Sequence, residues 1–250
     1  MIQLAIISDI HANLIALEAI LEDIEKRKIT DIYCLGDLVD FAPWGNEVIA
    51  LIQNKGIPCL LGNHDERIGF NQPIIPLVHH NEEETFHRNV AINLSKRTIT
   101  AENKNWLTKR PYQLKLSFKT GDAVKNILLV HASPRSNDEY IYETHPNQGL
   151  INMLPDQTID ALVMGHTHAS YIKNESGILM VNCGSVGRSR ETDQKATYSI
   201  LTISDGKVGA EIIKVDYAIE KVAKAIYESE IPDFYGDFLL RSEVTYTEVI

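Results

Sequence analysis

The chain has 250 residues, of which 44% are hydrophobic and 23% are charged, a composition typical of a soluble globular protein. Its 24 lysines and arginines stand against 34 aspartates and glutamates, so the formal net charge is −10 at pH 7. An acidic surface of this kind repels long nucleic acids and anionic membranes, and a phosphate-bearing ligand would need a local source of positive charge. The apolar runs of the sequence are too short to span a bilayer.

The cysteines and the first residues of the chain favour a cytoplasmic protein. Cys34, Cys59 and Cys183 are odd in number and far apart, and each lies in an apolar stretch. This usage is typical of buried free thiols in a reducing compartment. Met1 leads directly into an apolar run without the basic segment and cleavage site of a signal peptide. We therefore expect a cytoplasmic location.

Short β-branched apolar runs recur along the chain and predict strands that are buried on both faces. Helical periodicity within residues 12–28 and after Pro43 separates the early runs, which predicts crossover helices and a layered α/β arrangement. The predicted strands cover residues 4–7, 32–35, 59–61, 127–130, 161–164 and 178–181.

The second half of the chain adds helices and a hairpin to this pattern. Helices are predicted over residues 82–95, 101–109 and 217–229, and a hairpin over residues 198–215. The absence of internal repeats and of linkers rich in Pro, Gly or Ser favours one domain over residues 1–250. Within that domain we expect a helical insertion around residues 66–125 and a C-terminal helical segment around residues 216–250.

Polar residues follow five of the predicted strands directly. In chain order they are Asp9 and His11, Asp37 and Asp40, Asn63 to Asp65, His131, and His166 and His168. Because open α/β sheets bind ligands at the carboxyl ends of their strands, we expect these side chains around one cleft. Carboxylate, amide and imidazole groups in this number are typical of a site for two metal ions.

Two divalent ions close together need a shared anionic ligand that offsets their repulsion, and Asp37 is the predicted bridge. The remaining ligands form one set for each ion: Asp9, His11 and His168, and Asn63, His131 and His166. Mixed oxygen and nitrogen ligands suit manganese, iron, zinc, nickel and cobalt alike, so the sequence leaves the metal open.

The motifs D-x-H, G-D-x-x-D, G-N-H-D/E, V-H and G-H-x-H, in this order over residues 9–168, resemble those of the calcineurin-like metallophosphoesterases. Residues 8–13 and 182–187 look like the small bacterial and archaeal phosphodiesterase branch of that superfamily. The resemblance implies an α/β fold, a four-layer αββα sandwich of two mixed β-sheets flanked by helices. It also implies a dinuclear metal centre, the ligand assignment given above and hydrolysis of phosphoesters.

The same resemblance implies roles for the residues beside the metals. Water or hydroxide that bridges the ions would attack phosphorus near neutral pH. His64 would donate a hydrogen bond or proton to the leaving oxygen, and Asp65 would hold its ring. Asn63, His64 and Arg188 form the predicted substrate-binding set.

Arginines are the natural ligands of a substrate phosphate because the guanidinium group can bind two of its oxygens at once. Arg67, Arg135 and Arg188 are candidates, and Arg188 is favoured because it directly follows the Gly-Ser-Val-Gly segment of residues 184–187. A surface salt bridge is the alternative role for each of the three.

Several further polar and aromatic residues have open roles. Asp40 is expected to support its loop through backbone hydrogen bonds and not to bind metal. His79 and His80 lie in a loop that can edge the cleft without touching metal. Tyr140 and Tyr142 are candidates for a nucleobase platform, although loop aromatics more often pack.

The predicted function is metal-dependent hydrolysis of small phosphodiesters or nucleotides. The alternatives are a dinucleoside polyphosphate hydrolase, a phosphomonoesterase and, less favoured, a non-catalytic scaffold on the same fold. Loss of metal ligands or of the leaving-group histidine would indicate a scaffold, and the sequence keeps all of them. The sequence does not indicate an oligomeric state.

Overall fold

The computed structural model describes residues 1–78 and 80–241. The strands are β1 (Ile2–Ile7), β2 (Asp31–Cys34), β3 (Gln113–Thr120), β4 (Ala123–Val130), β5 (Ile159–Met164), β6 (Tyr171–Glu175), β7 (Ile178–Asn182), β8 (Ala196–Ser204) and β9 (Lys207–Val215). The helices are α1 (Leu14–Lys26), α2 (Gly45–Asn54), α3 (Asn63–Gly69), α4 (Glu82–Thr98), α5 (Ala101–Leu107), α6 (Asn147–Met153), α7 (Ile219–Tyr227) and α8 (Phe234–Leu240).

The strands form two mixed sheets. The first has the order β2-β1-β8-β9, with β1 parallel to β2 and antiparallel to β8. The second has the order β3-β4-β5-β7-β6, in which β4, β5 and β7 run parallel and the two outer strands run antiparallel to their neighbours. The predicted hairpin of residues 198–215 is confirmed as β8 and β9.

Side chains on alternate faces of the strands define four layers. Ile6 of β1 packs between the two sheets against Val163 of β5, while its neighbour Ile7 packs on the outer face with α1 and α2. In the second sheet, Leu128 turns to the opposite outer face, where it meets Leu150 of α6. The predicted αββα sandwich of two mixed sheets flanked by helices is therefore confirmed.

The strand prediction was wrong at residues 59–61 and did not include β3. Residues 59–61 form no strand, because Cys59 makes only a single bridge to Cys34 before α3 begins. The edge strand β3 alternates exposed and half-buried residues, with Leu114 and Leu116 turned toward the layer between the sheets. Such alternation lacks the continuous apolar run by which the other strands were recognised.

The two segments predicted as additions to the domain contain helices, as expected. Residues 66–125 include α4 and α5, but also β3, which belongs to the second sheet. Residues 216–241 contain α7 and α8, and residues 242–250 lie outside the described residues. The single domain over residues 1–250 and the family-specific nature of these segments stay predictions.

None of the helices in the described part of the chain has both the length and the hydropathy that a membrane crossing requires.

The carboxyl ends of the central strands lead into polar loops at one edge of the sheets. Backbone hydrogen bonds join these loops, since Asp9 N donates to Gly36 O at 3.0 Å and Gly165 N donates to His131 O at 2.8 Å. The predicted ligand residues are thereby brought together.

Candidate metal centre and active site

The loops that carry the predicted ligands have an unusual backbone conformation. The φ angles are 54° at Asp9, 48° at His11, 56° at Asp37, 66° at His166 and 60° at His168. Residues with a Cβ rarely occupy this left-handed region, and such positions cluster at functional sites. The loops therefore hold these five side chains in a geometry that the rest of the fold must stabilise.

Two glycines allow the loops to approach each other closely. A Cβ atom at Gly62 would lie 2.2 Å from Asp37 Oδ1, and one at Gly165 would lie 2.5 Å from Asp9 Oδ2. Any side chain at either position would push the carboxylate away. The glycines of the G-N-H-D and G-H-x-H motifs are thus explained by packing against the two aspartates.

The first candidate ligand group contains Asp9, His11 and His168, whose ligand atoms lie within 4.8 Å of one another. His11 Nδ1 donates to Val39 O at 3.0 Å, and His168 Nδ1 donates to Arg188 O at 2.8 Å. These bonds leave the two Nε2 atoms facing each other at 3.0 Å. Two imidazole lone pairs that meet in this way repel each other unless a cation lies between them.

The second candidate group contains Asp37, His131 and His166 within the same 4.8 Å limit. His131 Nδ1 donates to Leu35 O at 3.1 Å, and its Nε2 lies 3.4 Å from Asp37 Oδ2 and 3.1 Å from Asn63 Oδ1. His166 Nε2 is buried and makes no hydrogen bond with any described residue. A buried ring nitrogen without a partner fits a metal ligand.

Asp37 reaches both groups. Its Oδ2 lies 3.4 Å from His131 Nε2 and 3.8 Å from His11 Nε2, while its Oδ1 accepts from the backbone N–H of His64 at 2.8 Å. Asp9 is held in the same manner, because its Oδ2 accepts from His166 N at 2.9 Å. In each aspartate a backbone amide holds one oxygen and the other oxygen faces the imidazoles.

Burial sets the protonation of these groups. It lowers the pKa of His11 to about 3 and that of His166 to about 3, so both rings are neutral at pH 7 and can offer a lone pair. Burial by itself would raise the pKa of Asp9 and Asp37, but the facing histidines hold the pKa of both carboxyls below the usual value. Burial lowers the pKa of His131 as well, but the Asp37 carboxylate raises it to about 10. At that pKa the His131 ring carries a proton at pH 7, which a metal ion bound at its Nε2 would displace. The centre combines ionised carboxylates with imidazole nitrogens, a donor set that divalent transition metals favour.

His64 lies beside these ligands and is oriented by Asp40. His64 Nδ1 is 2.6 Å from Asp40 Oδ2, and the His64 ring centroid is 5.1 Å from that of His11. Burial lowers the pKa of His64, and the charge of Arg67 lowers it further. Burial raises the pKa of Asp40 to about 7. The two buried side chains form a pair that can hold and transfer one proton.

The expected contact between Asp65 and the His64 ring is therefore corrected. Asp65 Oδ1 accepts from Leu38 N at 2.8 Å, and Asp65 Oδ2 accepts from Gly62 N at 3.3 Å. Because Asp65 is the third residue of α3, its carboxylate turns back toward the amide that precedes the helix. The expectation that Asp40 supports its loop through backbone bonds is also corrected, because Asp40 Oδ2 bonds the His64 ring instead.

Arg188 lies on the aromatic side of the site. Its guanidinium carbon is 4.7 Å from the ring centroid of Phe41, 5.5 Å from that of Tyr235 and 4.3 Å from that of Phe238. Burial among these rings lowers the pKa of Arg188 to about 10, which keeps it charged at pH 7. Its Nε makes no hydrogen bond with a described residue, so a donor remains for a ligand.

The family model for the calcineurin-like phosphoesterase superfamily domain matches residues 2–206. That span includes every motif that holds the two ligand groups. The chain belongs to this superfamily. An uncharacterized protein of Methanocaldococcus jannaschii is 30% identical over 259 residues, which cover 94% of this chain and 96% of the relative.

Solved structures agree with this assignment. A metallophosphoesterase from Sphaerobacter thermophilus is 25% identical, with a TM-score of 0.75 over 97% of this chain and 99% of its own. A hypothetical protein from Pyrococcus horikoshii shares the fold with a TM-score of 0.81 at 22% identity, over 98% of this chain and 100% of its own. The predicted resemblance to bacterial and archaeal members of the superfamily is confirmed.

Other predicted residues of this calcineurin-like phosphoesterase have different surroundings. Arg135 is exposed and its Nε donates to Glu139 Oε2 at 2.9 Å, which matches the salt-bridge alternative. The Tyr140 ring lies 4.3 Å from that of His166 and stacks on Tyr142 at 6.0 Å. The remaining predicted positions are as follows: Arg67 is buried on α3, His80 precedes α4, His79 lies outside the described residues, and Cys34, Cys59 and Cys183 are confirmed as buried free thiols.

One supporting residue of this phosphoesterase was missed from the sequence. Asn182 Nδ2 donates to Gly165 O at 2.7 Å and to Thr167 Oγ1 at 3.0 Å, and so holds the loop that carries His166 and His168. Its position directly after a predicted strand was the available signal. That signal points to the correct edge of the sheet, but it does not separate a loop support from a ligand.

Proposed function

We propose that this calcineurin-like phosphoesterase hydrolyses small phosphodiesters or nucleotides with two divalent metal ions, one at each ligand group. The facing Nε2 atoms of His11 and His168 carry the proposal, because their Nδ1 atoms are committed to backbone carbonyls and both lone pairs must meet a cation. Asp37 would be the shared ligand, since its Oδ2 faces a histidine of each group. Asn63 would complete the second set through the oxygen that lies beside His131.

Bound divalent ions would supply Lewis acidity, which activates water and neutralises the charge that develops on the phosphate oxygens. The chain itself supplies the position of the reacting groups. Each aspartate keeps one oxygen turned toward the imidazoles, because a backbone amide binds the other. Arg188 would bind the substrate phosphate through its guanidinium group, whose Nε makes no hydrogen bond with a described residue.

His64 and Asp40 would provide the proton for the leaving oxygen. When Asp40 is protonated, it donates to His64 Nδ1 and the ring hydrogen lies on Nε2. Transfer of that hydrogen to the leaving oxygen, with the Asp40 proton moving to Nδ1, leaves a neutral imidazole and a carboxylate. The raised pKa of Asp40, about 7 through burial, supports this role because the pair then holds the proton near neutral pH.

The three buried free cysteines support a cytoplasmic place of action, because a reducing compartment keeps such thiols free. The acidic chain would carry its positive charge where the metals bind, so the proposed substrate is a small phosphoester and not a long nucleic acid.

The test is a phosphoester panel with the full chain, loaded in turn with manganese, iron, zinc, nickel and cobalt. We expect release of 4-nitrophenol from bis-4-nitrophenyl phosphate to be faster than from 4-nitrophenyl phosphate. A preference for the monoester would replace the proposal with a phosphomonoesterase. Efficient cleavage of diadenosine tetraphosphate instead of the diester would replace it with a dinucleoside polyphosphate hydrolase. A chain that stays metal-free by elemental analysis and inactive with every metal would be a scaffold.

A further inference from the structure

Two buried arginines near His64 have no part in the chemistry proposed above. Arg67 lies on α3 and is 8% exposed, and Arg88 lies on α4 and is 5% exposed. Arg67 follows His64 by three residues, so the two side chains leave α3 on the same side, about one turn apart. A buried guanidinium group is costly unless it has an anionic partner, so two of them beside an active site need an explanation.

Neither arginine has a carboxylate partner in the described part of the chain. The arginine ion pairs there belong to Arg27, Arg97 and Arg135. Arg67 Nη1 is buried and makes no hydrogen bond with a described residue, while Arg88 Nη1 donates to the backbone carbonyl of Ile75 at 3.0 Å. At least one donor of this region is therefore held out of water with no acceptor from the described chain.

Asp40 is a nearby carboxylate, but it is already engaged. The charges of Arg67 and Arg88 act on Asp40 from a distance, and both oppose the rise of its pKa that burial causes. The Asp40 Oδ2 atom bonds His64 Nδ1 at 2.6 Å. Asp40 therefore offsets part of the positive charge without forming an ion pair with either arginine.

Two further arginines, Arg188 and Arg190, extend this positive region across the site. Arg188 stacks on Phe41, and the Phe41 ring lies 5.0 Å from the His64 ring. Burial raises the pKa of Tyr140, and the charges of Arg190, Arg88 and Arg188 all oppose that rise. Arg190 itself follows the first ligand group, since its backbone N–H donates to His168 O at 3.1 Å. The Tyr140 ring on which these charges act is 4.3 Å from the His166 ring, at the border of the second ligand group.

We propose that Arg67 and Arg88, supported by the charges of Arg188 and Arg190, form a second anion site beside the metal centre. The site would take a further phosphate group of the substrate, so the preferred substrate class is a phosphoester that carries a second phosphate on the same sugar. This inference rests on the proposed function for the position of the first phosphate. Guanidinium groups suit this task because their donors match phosphate oxygens and are never deprotonated at pH 7.

A matched pair of substrates tests the second site. The 4-nitrophenyl ester of thymidine 5′-monophosphate carries only the scissile phosphate, and the 4-nitrophenyl ester at the 5′-phosphate of thymidine 3′,5′-bisphosphate differs from it by the 3′-phosphate alone. With the manganese-loaded chain, we expect kcat/KM to be about tenfold or more higher for the bisphosphate ester, the size of one charge-assisted hydrogen bond. A ratio near one in the wild-type chain would overturn the inference.

Variants of the two arginines test whether they cause the preference for the bisphosphate ester. Arg67→Gln and Arg88→Gln should each bring the ratio of the two kcat/KM values toward one, because each removes a donor to the second phosphate. Arg97→Gln is the matched control on α4, since Arg97 is exposed and pairs with Glu230. Thermal melting checks that the variants fold. If only one of the two variants folds, the kcat/KM ratio measured for that variant is used. An unchanged ratio in the folded variants would mean that the arginines serve only the structure and would overturn the inference.

A binding measurement separates this inference from the proposed function. Calorimetry on the manganese-loaded chain should show tighter binding of thymidine 3′,5′-bisphosphate than of thymidine 5′-monophosphate, with the difference reduced by Arg67→Gln. If neither ester is hydrolysed but this difference is present, the proposed function fails and the second anion site stands. If both esters are hydrolysed at similar rates and both nucleotides bind alike, the function stands and the second site fails.

Discussion

The two candidate ligand groups and the neighbouring pair of His64 and Asp40 are held by different parts of the chain. Backbone atoms fix the ligands: amides bind one oxygen of Asp9 and of Asp37, and carbonyls accept from Nδ1 of three histidines. The His64 ring is held instead by one side chain, the carboxylate of Asp40 at 2.6 Å.

Attachment to the backbone suits a metal ligand, whereas attachment to one side chain suits a group that transfers a proton. A ligand that is fixed by backbone bonds cannot move without its loop, which preserves the geometry that metal binding needs. A pair of side chains can change its proton content while every backbone hydrogen bond stays intact. The candidate ligands are therefore held in one arrangement, whereas the pair of His64 and Asp40 can gain or lose a proton without a change in the backbone.

The largest expected effect comes from Asp37, because its Oδ2 faces both ligand groups. Asp37→Asn should lower kcat/KM by about 10³-fold or more and reduce the content of both metals, since several kcal/mol of charge stabilisation are lost. Asp9→Asn is the comparison variant and should weaken mainly the metal at its own group. Elemental analysis and diester hydrolysis measure both effects. Equal metal retention in Asp37→Asn and the wild-type chain would contradict the shared role.

Replacement of His64 should affect turnover without affecting the centre. His64→Gln is expected to lower kcat by about 10²- to 10⁴-fold, the usual range for loss of a general acid. Its metal content should equal that of the wild-type chain, because the backbone N–H that binds Asp37 is retained. A variant that lost its metals but regained normal turnover when they were resupplied would show that His64 is not the proton donor.

Asp40→Asn should have a smaller effect of the same kind, about 10- to 100-fold on kcat, as is typical when the partner of a functional histidine is removed. Burial raises the pKa of Asp40 to about 7, so the donor pair holds its proton below that pH and loses it above. The kcat of the wild-type chain should therefore fall as the pH rises through about 7, and this decline should be weaker in the variant. Identical pH profiles would argue against proton transfer through Asp40.

Asp65→Asn should change stability more than chemistry. Its carboxylate accepts from the backbone amide of Gly62, just before α3, and from that of Leu38, in the loop that follows β2, so the variant is expected to lose about 1–3 kcal/mol of unfolding free energy. Urea denaturation measures the loss, and kcat of the folded variant should fall less than that of Asp40→Asn. A larger fall in kcat than for Asp40→Asn would return the orienting role to Asp65.

The convergence of the candidate ligands could be predicted because they follow predicted strands. Asp9 and His131 come after continuous apolar runs, and the carboxyl ends of such strands share an edge of the sheet. The edge strand β3 could not be recognised in the same way, because only alternate residues face the core. The sequence also did not indicate that Phe41 and Tyr235 are neighbours. Their ring centroids stack at 4.7 Å because α8 packs against the loop that follows β2.

The sequence by itself determined the family, the layered α/β architecture and the residue types gathered at the strand ends, because hydrophobic periodicity and motif order are local properties of the chain. The tertiary structure decided which acid serves His64. Asp65 is adjacent in sequence, but as the third residue of α3 it turns toward Gly62, whereas Asp40 comes from another loop and meets the ring. The tertiary structure also decided that Arg67 and Arg88 are buried without carboxylate partners in the described chain, because burial and pairing depend on which distant elements pack together.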